Sequence, residues 1–249
     1  MNTPKGQANN LSQWQVNSLG DHAIQFSLPE LMDATISLQI TALKNFMIAK
    51  KIQGIKDYIP AYHSLVIVFD ILPFLKTIQF QYSTSSSLAF AQKMLAEFLS
   101  SPSNSTMTNV ASTIIQIPVC YDPIFGIDLE NISLKKKLSI DKIIELHTQH
   151  IYQVYCLGFL PGFAYMGNVA ATLQMPRHEK PRSLVTAGSV GIAGAQTGIY
   201  PQNSPGGWQI IGKTPWKMFD PIQLTRVQPG DQIQFYAIDY NTFLTQQEN

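Results

Sequence analysis

The sequence predicts two domains of different class: a small α+β unit with ferredoxin-like layering, then a mostly-β barrel. Three observations carry that expectation. The first hundred residues alternate strand-like and helix-like runs. Beyond residue 151 almost no helical period survives, and short apolar runs are separated by glycines and prolines. Between the two lies 100–112 (SSPSNSTMTNVAS), which is polar and aperiodic and reads as a linker. The expected domains are therefore 13–105 and 113–249, after a disordered leader at 1–12.

In the first domain, 14–19 and 23–28 alternate apolar and polar residues around Gly20-Asp21, the pattern of a β-hairpin. From Thr35 to Lys51 the apolar residues Ile36, Ile40, Leu43 and Met47 recur at helical spacing. Two more strands are expected at 55–60 and 65–69, then an irregular piece at Pro73. A second helix is expected over 88–99, capped within Ser85–Ser87 and burying Leu88, Ala91, Leu95 and Phe98. The resulting order is ββαββα, a sheet with helices layered on it.

The second domain opens with an apolar strand at 113–120. A short helix follows at 128–134, and a longer one at 139–150 with Ser139 as its N-cap. Short strands are then expected at 152–159, 184–187, 208–212, 223–227 and 231–238. Pro229-Gly230-Asp231 forms a turn before the last of them. Many short strands between turns favour a closed barrel.

Composition excludes several classes. The 249 residues are 45% hydrophobic with a net charge of +1, which leaves no electrostatic footprint for nucleic acid. The N-terminus lacks an apolar signal-type segment. The longest apolar run, 65–75, is broken by Asp70 and Pro73 and cannot cross a bilayer. Two cysteines, Cys120 and Cys156, fall inside apolar runs and do not make a disulfide framework. The expectation is a soluble cytoplasmic protein.

Chemistry concentrates in 158–220, which holds ten of the fifteen glycines and two of the three arginines, Arg177 and Arg182. Five cations there (Arg177, Lys180, Arg182, Lys213, Lys217) face two acids (Glu179, Asp220), an excess of three that favours an anionic partner. An arginine fork suits a carboxylate better than a lysine point charge does. Gln196, Thr197 and Tyr200 supply an amide, a hydroxyl and a phenol to orient a small ligand. Gly158, Gly162, Gly188, Gly191, Gly194 and Gly198 are expected to be structural, at tight turns and close backbone approaches.

The same stretch carries a family resemblance. GFLPGFAYMG, PRHEKPR, AGSVGIAGAQTGIYPQNSPGGW and IGKTP make the chain similar to the family of 5-oxoprolinase B-type subunits, also called allophanate hydrolase subunit 1. That family includes sporulation-kinase inhibitors of the KipI type. Ala195 stands where the family pattern has glycine, and Gly167-Asn168-Val169 replaces a Gly-Gly-Leu-like turn. The resemblance implies a cyclophilin-like barrel in the second domain. It also implies one component of an ATP-dependent complex that opens 5-oxoproline to glutamate. Its partners there would be a C-type subunit, similar to allophanate hydrolase subunit 2, and a separate A-type subunit. ATP is then used by the complex, with no cofactor bound by this chain alone. Two other functions follow from the same likeness: inhibition of a histidine kinase, or the carboxyltransferase part of a biotin-dependent urea carboxylase. A prolyl isomerase is the weakest reading, since fold does not carry function.

Other motifs weigh against independent catalysis. The string from Gly207 to Thr214 matches GxxxxGK[ST], but Pro215 and Pro221 leave no room for the helix a phosphate loop needs. His147 and His150 are spaced like a metal pair, yet no third or fourth ligand accompanies them, and no metal is expected. A helix-terminal role is the simpler reading, with His150 kept as a candidate pocket residue. No nucleophile elbow exists, because Ala187 precedes Ser189 where glycine is required. No catalytic residue is assigned.

Overall fold

The computed structural model describes residues 13–29, 34–101 and 114–247. The expected leader and nearly all of the expected linker lie outside these residues. The chain forms two compact units, Met1–Val110 and Ala111–Asn249.

The first unit runs β1 (Gln15–Ser18), β2 (Ala23–Ser27), α1 (Ala34–Ala49), β3 (Ile55–Pro60), β4 (Ser64–Phe69), α2 (Ile71–Tyr82) and α3 (Ser87–Ser100). Its strands form one antiparallel sheet in the order β1-β2-β4-β3. Ile24 pairs with Ile67 and Phe26 with Leu65, which puts four apolar side chains on one face. Ile40, Leu43 and Met47 of α1 pack into the same core as Phe90, Met94 and Phe98 of α3. Each such side chain, taken fully out of water, contributes about 1.5–3 kcal/mol.

One element departs from expectation. The piece around Pro73 is a twelve-residue helix, α2, and the order is ββαββαα. Asp70 is its N-cap, so Pro73 falls in the first turn, where its missing N–H has no intrahelical partner to lose. The helix at α3 is capped as expected, with the Ser86 hydroxyl accepting from the Ala89 N–H.

The second unit contains β5 (Ile114–Cys120), α4 (Leu129–Lys136), α5 (Ile140–Thr148), β6 (Ile151–Leu157), β7 (Ala164–Gly167), β8 (Arg182–Val185), β9 (Ser189–Ala193) and β10 (Gln196–Ile199). It continues with β11 (Ser204–Gly206), β12 (Gln209–Lys213), β13 (Phe219–Asp220), β14 (Leu224–Thr225), β15 (Gln232–Ile238) and α6 (Tyr240–Gln246). Seven strands close a barrel in the order β10-β7-β6-β15-β5-β12-β9. The barrel expectation therefore holds. All described pairs in it are antiparallel except β15 with β5.

Alternation fills the barrel. Ile117, Val119, Tyr152, Val154, Val190, Ile192, Ile199, Ile233 and Phe235 share one buried core. The opposite face of β9, β10 and β12 carries a separate cluster of Phe163, Val185, Ala193, Tyr200, Trp208 and Ile210. The hairpin-like pair β8–β11 lies apart from the barrel sheet. Because both faces of these strands are buried, their residues show no alternation to read, and glycines make room for the second layer. A Cβ on Gly198 would meet Ala164 O at 2.9 Å. Of the six glycines expected to be structural, Gly162, Gly188 and Gly194 have left-handed φ values of 85°, 82° and 58°. Gly194-Ala195 forms the two-residue turn between β9 and β10, and Ala195 O accepts from the Val169 N–H.

Candidate functional site

Asp128 organises the region that carries the arginines. It is the N-cap of α4, yet its carboxylate makes no capping bond and is almost fully buried. Both oxygens are spent elsewhere. Oδ1 accepts from Arg182 Nη2 at 2.6 Å, and Oδ2 accepts from the Ile210 N–H at 2.6 Å. His178 Nε2 lies 3.3 Å from the same Oδ1, off the direction of a hydrogen bond. One carboxylate thus ties α4 to β8 and β12.

The segment from Pro176 to Arg182 is laced to the chain beside β12. The His178 N–H donates to Gly207 O at 2.7 Å, Gln209 Nε2 donates to Pro176 O at 2.9 Å, and Arg182 pairs with Gly206. Arg182 Nη1 and Gln209 Oε1 are enclosed here without a hydrogen-bond partner among the described residues. Arg177 stands exposed on the same segment.

The structure brings Arg177, Arg182 and Tyr200 into one electrostatic neighbourhood. Burial pushes the Tyr200 phenol up, while the Trp208 backbone N–H and the charges of Arg177 and Arg182 pull it down. Tyr165 is raised in the same way by burial, again with Arg177 opposing. Tyr165 faces Gly198 across β7–β10, whose other neighbours on that face include Gln196, half-exposed at the start of β10. Beside this cluster an open groove of about 540 Å³ is lined by Gly158, Phe159, Leu160, Phe219 and Leu224 among others. Phe159 reaches from its rim to the Phe163 and Tyr200 rings, at 5.6 and 6.5 Å.

Thr197 and the two histidines are placed differently. Thr197 points into the barrel and is fully buried. Its hydroxyl donates to Gly191 O at 3.0 Å and meets His147 Nε2 at 3.0 Å, while His147 Nδ1 meets the Tyr121 hydroxyl at 2.7 Å. Since Thr197 has given its proton to Gly191, His147 must carry its own on Nε2 and accept from Tyr121 on Nδ1. Burial, with His150 nearby, lowers the His147 pKa to about 3, so the ring is neutral in this chain of bonds. His150 is half-exposed, with its ring centroid 5.1 Å from that of Tyr152. His147 therefore has no nitrogen left for a metal.

Within the string from Gly207 to Thr214, Gln209–Lys213 form strand β12 rather than a loop before a helix. Sequence reasoning missed Asp128, His178 and Tyr165. Asp128 stands 54 residues from Arg182, and its only local signal was a helix start that it does not cap.

Residues 14–228 are matched by the family model for the carboxyltransferase domain, subdomain C and D. The chain belongs to that family. Among its members, the B subunit of 5-oxoprolinase from Bacillus subtilis is 35% identical over 236 residues, covering 93% of this chain and 97% of that protein. The protein of the same name from Haemophilus influenzae is 47% identical over 123 residues, covering 49% of this chain and 58% of that protein. The crystal structure of TTHA0988 superposes with a TM-score of 0.71 at 29% identity, over 87% of this chain but 40% of that longer one. The likeness expected from the central motifs is thus present along nearly the whole chain. No described helix is long and apolar enough to cross a membrane.

Proposed function

We infer that this chain is the B-type component of an ATP-dependent 5-oxoprolinase, contributing one wall of an active site completed by a C-type partner. The observation that carries this reading is the match to the Bacillus subtilis protein over almost its full length. Two features support it. The described cluster offers donors, phenols and a positive charge but no nucleophile–base pair, which suits half of a shared site. TTHA0988 carries the equivalent of this chain inside a longer polypeptide. A separate A-type protein completes the complex, which consumes ATP without this chain holding the nucleotide. The layering of the first unit is ferredoxin-like and the barrel cyclophilin-like in this reading, and the protein works in the cytoplasm.

Within the site, Arg177 and Arg182 hold the substrate's carboxylate side, with Gln196 orienting it. Tyr200 forms part of the wall, whereas Thr197, its hydroxyl spent inside the barrel, and His150, beside Tyr152 at the other end of β6 from Tyr165, stand outside it. Arg177 brings an exposed fork, while Arg182, anchored on Asp128, adds a fixed positive charge beside it. Co-expression with the C-type protein tests the reading. A stable complex on size exclusion is expected. A chain that stays alone, and instead suppresses autophosphorylation of a sporulation-type histidine kinase, would overturn it.

A further inference from the structure

The turn after β8 and the end of β12 bring together a lysine and two hydroxyls that lie outside the arginine cluster. Residues 186–189 form a turn closed by the Ser189 N–H donating to Thr186 O at 3.1 Å, with Gly188 third at φ 82°. A left-handed third residue is what a type II turn requires. Three further bonds pin it. The Gly188 N–H donates to Tyr200 O at 2.7 Å, the Thr214 N–H to Gly188 O at 2.9 Å, and the Ala187 N–H to Asn203 Oδ1 at 2.8 Å. The turn holds the Thr186 and Ser189 hydroxyls 3.3 Å apart.

Lys213 pairs with Ser189 across β9–β12 and lays its stem over Gly188, where a Cβ would come within 3.4 Å of Lys213 Cε and Cγ. Its Nζ ends 3.4 Å from Thr186 Oγ1 and 5.7 Å from the Phe125 ring centroid. Phe125 is itself packed against Tyr240 and Phe243 of α6. The amine therefore sits on a rigid platform.

Charge makes this arrangement informative. Among the described residues no carboxylate lies within ion-pair distance of Lys213, whereas Arg182 at the start of β8 is paired with Asp128. Partial burial lowers the Lys213 pKa, the mark of an ammonium half out of water without a counter-ion. Of its three N–H groups, one is engaged with Thr186.

We propose that Lys213, Thr186 and Ser189 form a seat for the carboxylate of a small molecule. Two lysine N–H groups donate to its oxygens, and the hydroxyl pair adds a further donor. A single ammonium neutralises a monoanion, whereas a phosphate dianion would find half the charge it needs. The seat follows the end of β8, so it lies about 13 Å from Arg182 at roughly 3.3 Å per residue. It is a second anion position and does not rest on the 5-oxoprolinase reading.

The test is an NMR titration of the ¹⁵N-labelled full chain with acetate and, separately, 5-oxoproline, at ionic strength held constant with chloride. Saturable shifts at amides 186–189 and 213 are expected with acetate. Lys213→Met, checked by thermal melting, weakens binding by at least ~10-fold, as expected for a lost charge-assisted bond. Thr186→Val weakens it less. A response to acetate but not to 5-oxoproline upholds the seat and counts against 5-oxoproline as its occupant. No saturable shift with acetate in the wild-type chain overturns the proposal, whether or not the variants fold. Unchanged binding by folded Lys213→Met does the same, as does inorganic phosphate binding tighter than either carboxylate.

Discussion

Asp128 and Arg182, 54 residues apart in sequence, meet at 2.6 Å in a pair whose acid is buried and whose base keeps one enclosed nitrogen unsatisfied. The same carboxylate holds the Ile210 N–H. Removing it strands a guanidinium and a backbone donor together. Asp128→Ala should cost about 3–5 kcal/mol in urea denaturation, the range for breaking a buried pair. Asp128→Asn, which can still accept from Ile210, should cost less. A loss under about 0.5 kcal/mol for the alanine variant, the level of an ordinary surface change, would mean that the pair holds nothing together.

The arginines separate in a way that sequence alone does not show. Arg177 is exposed and makes no ion pair among the described residues, so Arg177→Lys should leave the melting temperature unchanged. In the reconstituted complex it should lower turnover by ~10-fold, because lysine keeps charge but loses the fork. Arg182→Lys should lower turnover and melting temperature together, since its fork is part of the Asp128 clamp. Full activity in both variants would place the anion site elsewhere.

His147 gives the fold a pH dependence of known sign. Its folded pKa of about 3 lies below the ordinary value of 6.5, so the unfolded chain binds the proton first. Stability is therefore fully present above pH 6.5 and falls as pH drops from there towards 3, by up to ~1.4 kcal/mol per pH unit. Urea midpoints measured from pH 7 to 5 should fall for the wild-type chain. They should be flatter for His147→Gln, although that variant starts lower because Tyr121 and Thr197 lose their shared partner. Equal slopes would show that His147 does not titrate with unfolding.

The string from Gly207 to Thr214 should bind no nucleotide. Within it, Gln209–Lys213 form a barrel strand whose Gly212 fits against the β5 backbone, and no helix follows to face a phosphate. Isothermal titration of the chain with Mg-ATP should show no binding in the micromolar range. Tight binding abolished by Lys213→Ala would contradict the strand reading.

Much of this was legible in the sequence where periodicity had one face to report. The Ile36–Met47 spacing gave α1, and Ser139 gave the cap of α5, where it accepts from the Lys142 N–H. Pro73 misled because a proline breaks helix interiors but not first turns. The strands β9, β10 and β12 are buried on both faces, so their residues showed no alternation. Thr197 looked like a ligand group because a polar residue among glycines reads as a site. Its inward direction depends on which face of β10 the barrel encloses. Asp128 was invisible for another reason, since a partner 54 residues away leaves no local pattern.

If this chain is an indispensable wall of a 5-oxoprolinase site, release of glutamate must depend on it. The chain, its C-type partner and the A-type protein are combined and glutamate release from 5-oxoproline is followed, with ATP and each protein omitted in turn. The predicted result is release that requires all three proteins and ATP. Undiminished release when this chain alone is left out would contradict it.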